Sequence, residues 1–337
     1  MDSIWRHLSG LLAHCGKHEG WFNALLRFAG GLTAYVFHRK HRELFGLGLF
    51  RDYVAAEGNG DVLAHLSHRH YLSRRFGYAQ RIGCALSHYR YEDRHYSDCY
   101  KRAVYRDGGL ALWSATVDNT HFSLRLVAGT ELRHEGAISV VLMADKERLC
   151  EMSFAWVDAA NFGAGAGVVP FVTRNQSVRC DAPALQKFRA AFPQNSPPYL
   201  CLAALHGIAS AHGLERIAAI KHDSQIAFAA QYAQGFRKSY CDFWRSFGAS
   251  ELDHQAYSMP VPLELPALST VKSKHRQRAA ARRRFWAEVT RSASETIAIY
   301  RLQPAAHAGA SPTGRFCASI ASHWPTLMTL ALSIEGL

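Results

Sequence analysis

The chain contains no apolar run approaching the roughly 18 residues that a bilayer-spanning helix needs, which argues against a helical membrane segment. Its opening stretch, MDSIWRHLSGLLAHCGKHEG, carries an acid at Asp2 and charges throughout. It lacks the basic start and unbroken apolar core of a secretory signal. The expected location is therefore the cytoplasm, free or at the periphery of the inner membrane. There is no C-x-x-C pair, so a paired-cysteine zinc site is not expected, and no other metal is expected either. The eight cysteines (Cys15, Cys84, Cys99, Cys150, Cys180, Cys201, Cys241, Cys317) are scattered. They read as reduced, mostly buried thiols in a chain large enough to fold without disulfide staples. A G-x-S-x-G elbow is missing, which removes the α/β-hydrolase arrangement. No cysteine sits in a recognisable histidine-paired motif, and no internal repeat is visible.

Acidic residues are also scarce: 27 stand against 39 Lys and Arg, for a net charge of +12. That balance favours anionic partners, whether nucleic acid, a phosphorylated cofactor or an acidic lipid headgroup. A solvated basic surface set by composition alone is the plainer reading. Nucleic acid is not the expected partner, because no zinc finger, RNA-recognition signature or compelling helix-turn-helix is present.

What is there falls into three regions. Residues 1–105 read as basic and mostly helical, with apolar clusters alternating with Arg, Lys and His at roughly helical spacing. His38 and His41 are spaced to share a helix face, but without an ordered set of carboxylates they read as solvated or capping residues. After Asp107-Gly108-Gly109 the texture changes. LALWSATVD, FSLRLVAGTEL, AISVVLMADKERLCEMSFAWVDA and VVPFVTRNQSV are separated by Asp118-Asn119, Glu135-Gly136, Asp145-Lys146 and the glycine-rich NFGAGAG. This predicts an antiparallel meander in which NFGAGAG is a hairpin loop. Next come helices opening at Asp181 and at Ser196-Pro197, a short buried strand in LERIAAIKH, a helix in AQYAQGFRKSYCDFWRSFG and an edge strand in AYSMPVPLEL. The expected fold class is α/β (α+β): a helical N-terminal region, then a mixed sheet with the meander leading into a parallel α/β layer over residues 106–300. Phe243 and Trp244 are expected to bury against that sheet, with Gly248 reversing the chain. KSKHRQRAAARRR (272–284) predicts a basic helix. Residues 301–337 read as a linker and tail.

Seven marks in order resemble the bacterial VirK/YbjX family: YLSRR (71–75), HYRY (88–91), RHEG (133–136), EMSFAW (151–156), TRNQS (173–177), DFWRSFG (242–248) and KSKHRQRAAARRR (272–284). The resemblance covers roughly residues 65 to 290. It implies a cytoplasmic protein tied to virulence, to resistance against cationic antimicrobial peptides and to lipid A or envelope changes, with no settled activity. The family often shows Gln-Gly where this chain has Gln176-Ser177.

Residues 107–265 also resemble the acyl-CoA N-acyltransferase (GNAT) fold. That resemblance implies acyl-CoA or another acyl carrier as cofactor and a lipid, peptide or small-molecule acceptor. It places a strand at Val168–Thr173 and a phosphate loop at 174–179, with Arg174, Asn175, Gln176, Ser177 and Arg179 as cofactor-binding residues beside a helix start. The loop lacks the family's glycines. Trp244 stands where those enzymes often carry a tyrosine acid, so Tyr240, one turn earlier, is the substitute. Candidate bases are Glu135 at a strand boundary, His222 at the end of a buried strand and His88 in HYRY. Their plainer readings are a turn residue, a cap and a helix-surface residue. The alternative to an enzyme is an accessory protein that binds an anionic membrane or envelope component through its basic surface.

Overall fold

The computed structural model describes residues 38–55, 65–66, 70–128, 133–177 and 182–302. The expected helices before His38, the candidate Arg179 and the tail after Leu302 lie outside them.

Two short turns set up the meander. Asp118 and Asn119 take left-handed φ values of 47° and 59°, the pair that a type I′ hairpin requires. They join β1 (Leu110–Val117) to β2 (Thr120–Ala128). Asp145, also left-handed at 52°, turns β3 (Ile138–Ala144) into β4 (Glu147–Asp158). NFGAGAG forms the loop from β4 to β5 (Val168–Ser177), with Gly163, Gly165 and Gly167 all at positive φ.

Among the described residues the sheet has eight strands in the order β1-β2-β3-β4-β5-β6-β8-β7. Pairing is antiparallel except between β5 and β6 (Arg216–Ile220), which run parallel. β7 (Ser250–Glu251) is the outer edge. β8 (Ala256–Pro260) pairs with it on one side and with β6 on the other. The strand expected at the edge is thus one place inside it, because a two-residue strand covers part of its outer side.

The β4 run Leu149–Val157 is buried without a break. A strand reads that way when both faces of the sheet are covered. Helices α1 (His38–Gly46), α2 (Tyr78–His95) and α3 (Asp98–Tyr105) precede the sheet, and α2 packs on β4 while α3 packs on β2. Between β5 and β6 lie α4 (Ala182–Ala191) and α5 (Pro197–Ala211), and α5 lies against β3 and β4. After β6 a helix in three parts follows: α6 (Ala233–Arg237), a π-helical turn (Lys238–Asp242) and α7 (Phe243–Ser246). It ends at Gly248, φ 78°. Trp244 is fully buried and donates its indole N–H to the Ile220 carbonyl at 3.0 Å, as its apolar bulk leads one to expect. The last described helix, α8 (Ser273–Tyr300), runs along α5 and reaches β1.

One glycine sets the α5–α8 spacing. A Cβ on Gly207 would lie 2.3 Å from the Thr290 carbonyl oxygen and 2.8 Å from Ala293 Cβ. Only a hydrogen fits there, and the two helices approach accordingly closely. Among the described residues Cys84, Cys150, Cys201 and Cys241 are free thiols. No helix is long and apolar enough to cross a membrane among the described residues.

Candidate functional site

β5 and β6 part company early. Their pairing covers Phe171 with Ala218 and Val172 with Ala219. The next residue, Thr173, is an extra residue in β5, since Ser153 of β4 faces Arg174 while Phe154 faces Val172. A bulge bends its strand and increases its twist, so β5 leaves β6 where the bulge sits. β5 then continues along β4 as far as Ser177. Residues 174–177, expected to form a loop, are therefore strand, held by the antiparallel ladder to Cys150–Ser153.

Beyond the bulge lies a buried polar cluster. The turn Arg133–Glu135 sits tightly over β4, because Gly136 has no Cβ: one placed there would be 2.5 Å from Ser153 Cβ and 2.8 Å from the Phe154 nitrogen. Thr173 fastens this turn by donating its hydroxyl to the Glu135 carbonyl. The Glu135 carboxylate lies 3.4 Å from Arg174 and accepts from Gln225 at 3.2 Å. Arg174 also stands 3.7 Å from Glu151, which accepts from Ser139 at 2.9 Å. Two carboxylates thus flank one guanidinium. Burial raises the Glu135 carboxyl above its ordinary range and the Glu151 charge adds to that, against the pull of Arg174 and Gln225. Arg174 is turned inward and neutralised, so its charge is spent on Glu135 and Glu151 and not on an outside diphosphate.

Tyr240 comes from the π-helical turn. Its fully buried hydroxyl stands 3.5 Å from both the Asn175 backbone nitrogen and Gln176 Nε2. Burial raises its phenol further above the ordinary value, with the neighbouring Glu135 charge second. Asn175 donates its amide to the Ser239 carbonyl at 2.9 Å, and its Oδ1 is buried without a partner among the described residues. The structure thus gathers Glu135, Arg174, Asn175, Gln176 and Tyr240 in one place, and adds Gln225 and Glu151, which the sequence reading did not name. Ser177 is exposed at the strand end. His222 turns to Cys241, with Nδ1 3.1 Å from the sulfur. A histidine-paired cysteine therefore exists where no sequence motif announced one, because residues 222 and 241 meet only across the helix that follows β6. The helix that follows the expected phosphate loop is α4, and residues 178–181, which lead into it, lie outside the described ones.

A second buried polar cluster was not foreseen. Glu92 of α2 is fully buried and accepts from Tyr100 (2.9 Å), Tyr105 (2.8 Å) and the Trp156 indole (2.9 Å). Burial pushes its carboxyl up to about 7 despite these donors. His88, one turn earlier, is equally buried, and its ring lies 3.2 Å from the Tyr105 hydroxyl. Burial takes its imidazole down to about 3. It is a core residue at the α2–β4 contact and not the expected helix-surface residue.

The basic stretch takes the form expected of it. From Lys272 to Arg284 there are seven Lys and Arg and no carboxylate. Residues 272–278 are exposed. None of the seven cations is ion-paired among the described residues.

A family described as "protein of unknown function (DUF535)" matches residues 56–165 and 192–294, more than half of the chain. The chain belongs to that family, the VirK/YbjX family. Glu92, Glu135, Glu151, Tyr240 and the whole basic stretch of α8 lie in the DUF535 segments, whereas β5 and α4 fall between them. No curated protein and no solved structure matches.

Proposed function

We propose that this DUF535 protein binds an anionic component of the cell envelope through the first half of α8. The observation that carries the reading is a run of seven cations, Lys272 at the N-cap and Lys274, Arg276, Arg278, Arg282, Arg283 and Arg284 on α8, with no carboxylate among them and no ion pair among the described residues. Lys274, Arg278 and Arg282 are four residues apart and share a face. An anionic membrane surface attracts each nearby Lys or Arg by about 1 kcal/mol, within about a Debye length of 8 Å. Replacing Arg282, Arg283 and Arg284 with Gln is therefore expected to weaken binding to anionic vesicles on the order of a hundredfold. Flotation with vesicles of mixed neutral and acidic lipid tests this. Equal flotation of the variant and the parent, or equal binding to neutral vesicles, contradicts it. Duplex DNA of random sequence is the control for unselective attraction by charge.

A second reading, acyl transfer, is favoured by one specific feature: the bulge at Thr173, where β5 leaves its parallel neighbour β6, with Tyr240 and Glu135 gathered beside it. In this reading an acyl carrier enters between β5 and β6, and the acceptor amine attacks its thioester carbonyl. Glu135, whose raised carboxyl suits a base nearer neutral pH, takes the amine proton, and Tyr240 returns one to the departing thiolate. The inward-facing Arg174 leaves the carrier's phosphates to other residues. A thermal shift with acetyl-CoA and longer acyl-CoAs tests it, with Tyr240→Phe as the variant. No stabilisation by any carrier counts against this reading and leaves the first intact.

A further inference from the structure

A cavity of about 420 Å³ lies between α5, α8 and the segment after β8. That is within the range of small-molecule sites. Its lining on α5 runs from Tyr199 to Ser210, about 16 Å at the helical rise, so the space is long and narrow. One end is apolar: Tyr199, Leu202, Phe247, Leu263, Leu265 and Trp286. The other end carries His206 and Ser210 on α5, and Arg291, Ser294 and Glu295 on α8. The close pass at Gly207, whose neighbours are Thr290 and Ser294, fixes the level of that end.

His206 is the anomaly. It is 3 % exposed, it lines the cavity, and neither ring nitrogen has a hydrogen-bond partner among the described residues. Buried polar groups are nearly always satisfied, and an orphan in a cavity wall marks a place where a ligand atom can sit. Burial holds the imidazole down at about 4, so near neutral pH it is uncharged and offers one N–H donor. The hydroxyls of Ser210 and Ser294 add donors. At the polar end Arg291 is shared with Glu295 at 3.8 Å, whereas Arg283, one turn before Trp286, borders the apolar end. The polar end is therefore rich in donors, with Arg291 balanced by Glu295, and the rest is greasy apart from Arg283 on its rim.

We propose that this groove binds a single acyl chain, with the hydrocarbon along Leu202, Phe247, Leu263, Leu265 and Trp286 and its carboxylate or ester oxygen accepting from His206. The site goes beyond the surface binding assigned to the basic half of α8, and neither depends on the other.

The test is calorimetric titration of the full chain with saturated fatty acids of eight to fourteen carbons, each below its micelle concentration. Affinity rises about fourfold per added methylene until the groove is full. Ala287→Trp, at an exposed position lining the groove, blocks the space without entering the core and lowers affinity at least tenfold. His206→Leu keeps the apolar wall, removes the donor and weakens dodecanoate about tenfold. Circular dichroism confirms that both variants remain folded. Affinity independent of chain length, or Ala287→Trp binding like the parent, overturns the proposal. Loss of fatty-acid binding with vesicle binding intact, or the converse, tells failure of this inference from failure of the envelope reading.

Discussion

Glu92→Gln probes the buried carboxylate on which α2, α3 and β4 converge. Glu92 is fully buried and its carboxyl is pushed up to about 7, against an ordinary value of 4.5. A folded-state value raised above the unfolded one means that the native protein holds a proton the unfolded chain has lost. The resulting stability is complete below pH 4.5 and is lost as pH rises through 7. Each unit is worth about 1.4 kcal/mol, so the full span is about 3 kcal/mol, and the part between pH 5.5 and 8 is about 2 kcal/mol. Buried histidines work in the other direction. Burial takes His88 and His212 down to about 3 and His206 to about 4. Each costs stability as pH falls below 6.5, so the parent's own pH curve mixes both trends. The difference between parent and Glu92→Gln cancels the histidines and isolates Glu92. Urea unfolding of both at half-unit steps from pH 5.5 to 8 is the assay. The parent is expected to lose about 2 kcal/mol relative to the variant over that range. A difference that stays flat, or that shifts in the parent's favour as pH rises, refutes the assignment of a proton to Glu92.

Two further substitutions test the packing. Gly207→Ala places a Cβ 2.3 Å from the Thr290 carbonyl, and urea unfolding is expected to show a loss of about 2–3 kcal/mol as α5 and α8 are forced apart. Arg174→Met strands Glu135 and Glu151 beside each other in the interior, with an expected loss of about 3–5 kcal/mol at neutral pH that shrinks as the solution is acidified and a carboxylate takes up a proton.

The meander was legible because its turns carry their own chemistry: Asp118-Asn119 and Asp145 take left-handed backbone, and the strands between them alternate or run apolar. The basic half of α8 was legible because thirteen residues hold seven cations and no acid. Thr173 was not, since a bulge depends on how two strands align and leaves no mark on one of them. Reading residues 174–177 as a loop followed from the GNAT resemblance, but Arg174 meets the buried Glu135 and Glu151, and Asn175 and Gln176 reach Ser239 and Tyr240, partners that arrive from elsewhere in the chain. Glu92 did leave a signal. Ile82, Ala85, Leu86, His88, Tyr89 and Glu92 repeat at helical spacing and are all buried, so the acid shares the apolar face of α2. The eye takes Tyr91-Glu92-Asp93-Arg94 for a solvated charge run and misses that phase. His206 shows the same effect within an otherwise apolar helix.

The central claim, that α8 presents an unpaired basic face to an anionic envelope surface, is tested most directly by titrating the protein with vesicles of rising acidic-lipid content at two salt concentrations. The account predicts affinity that climbs steeply with acidic lipid, falls at high salt, and drops on the order of a hundredfold when Arg282, Arg283 and Arg284 become Gln. Affinity that ignores the lipid charge, or that survives the triple substitution unchanged, contradicts it.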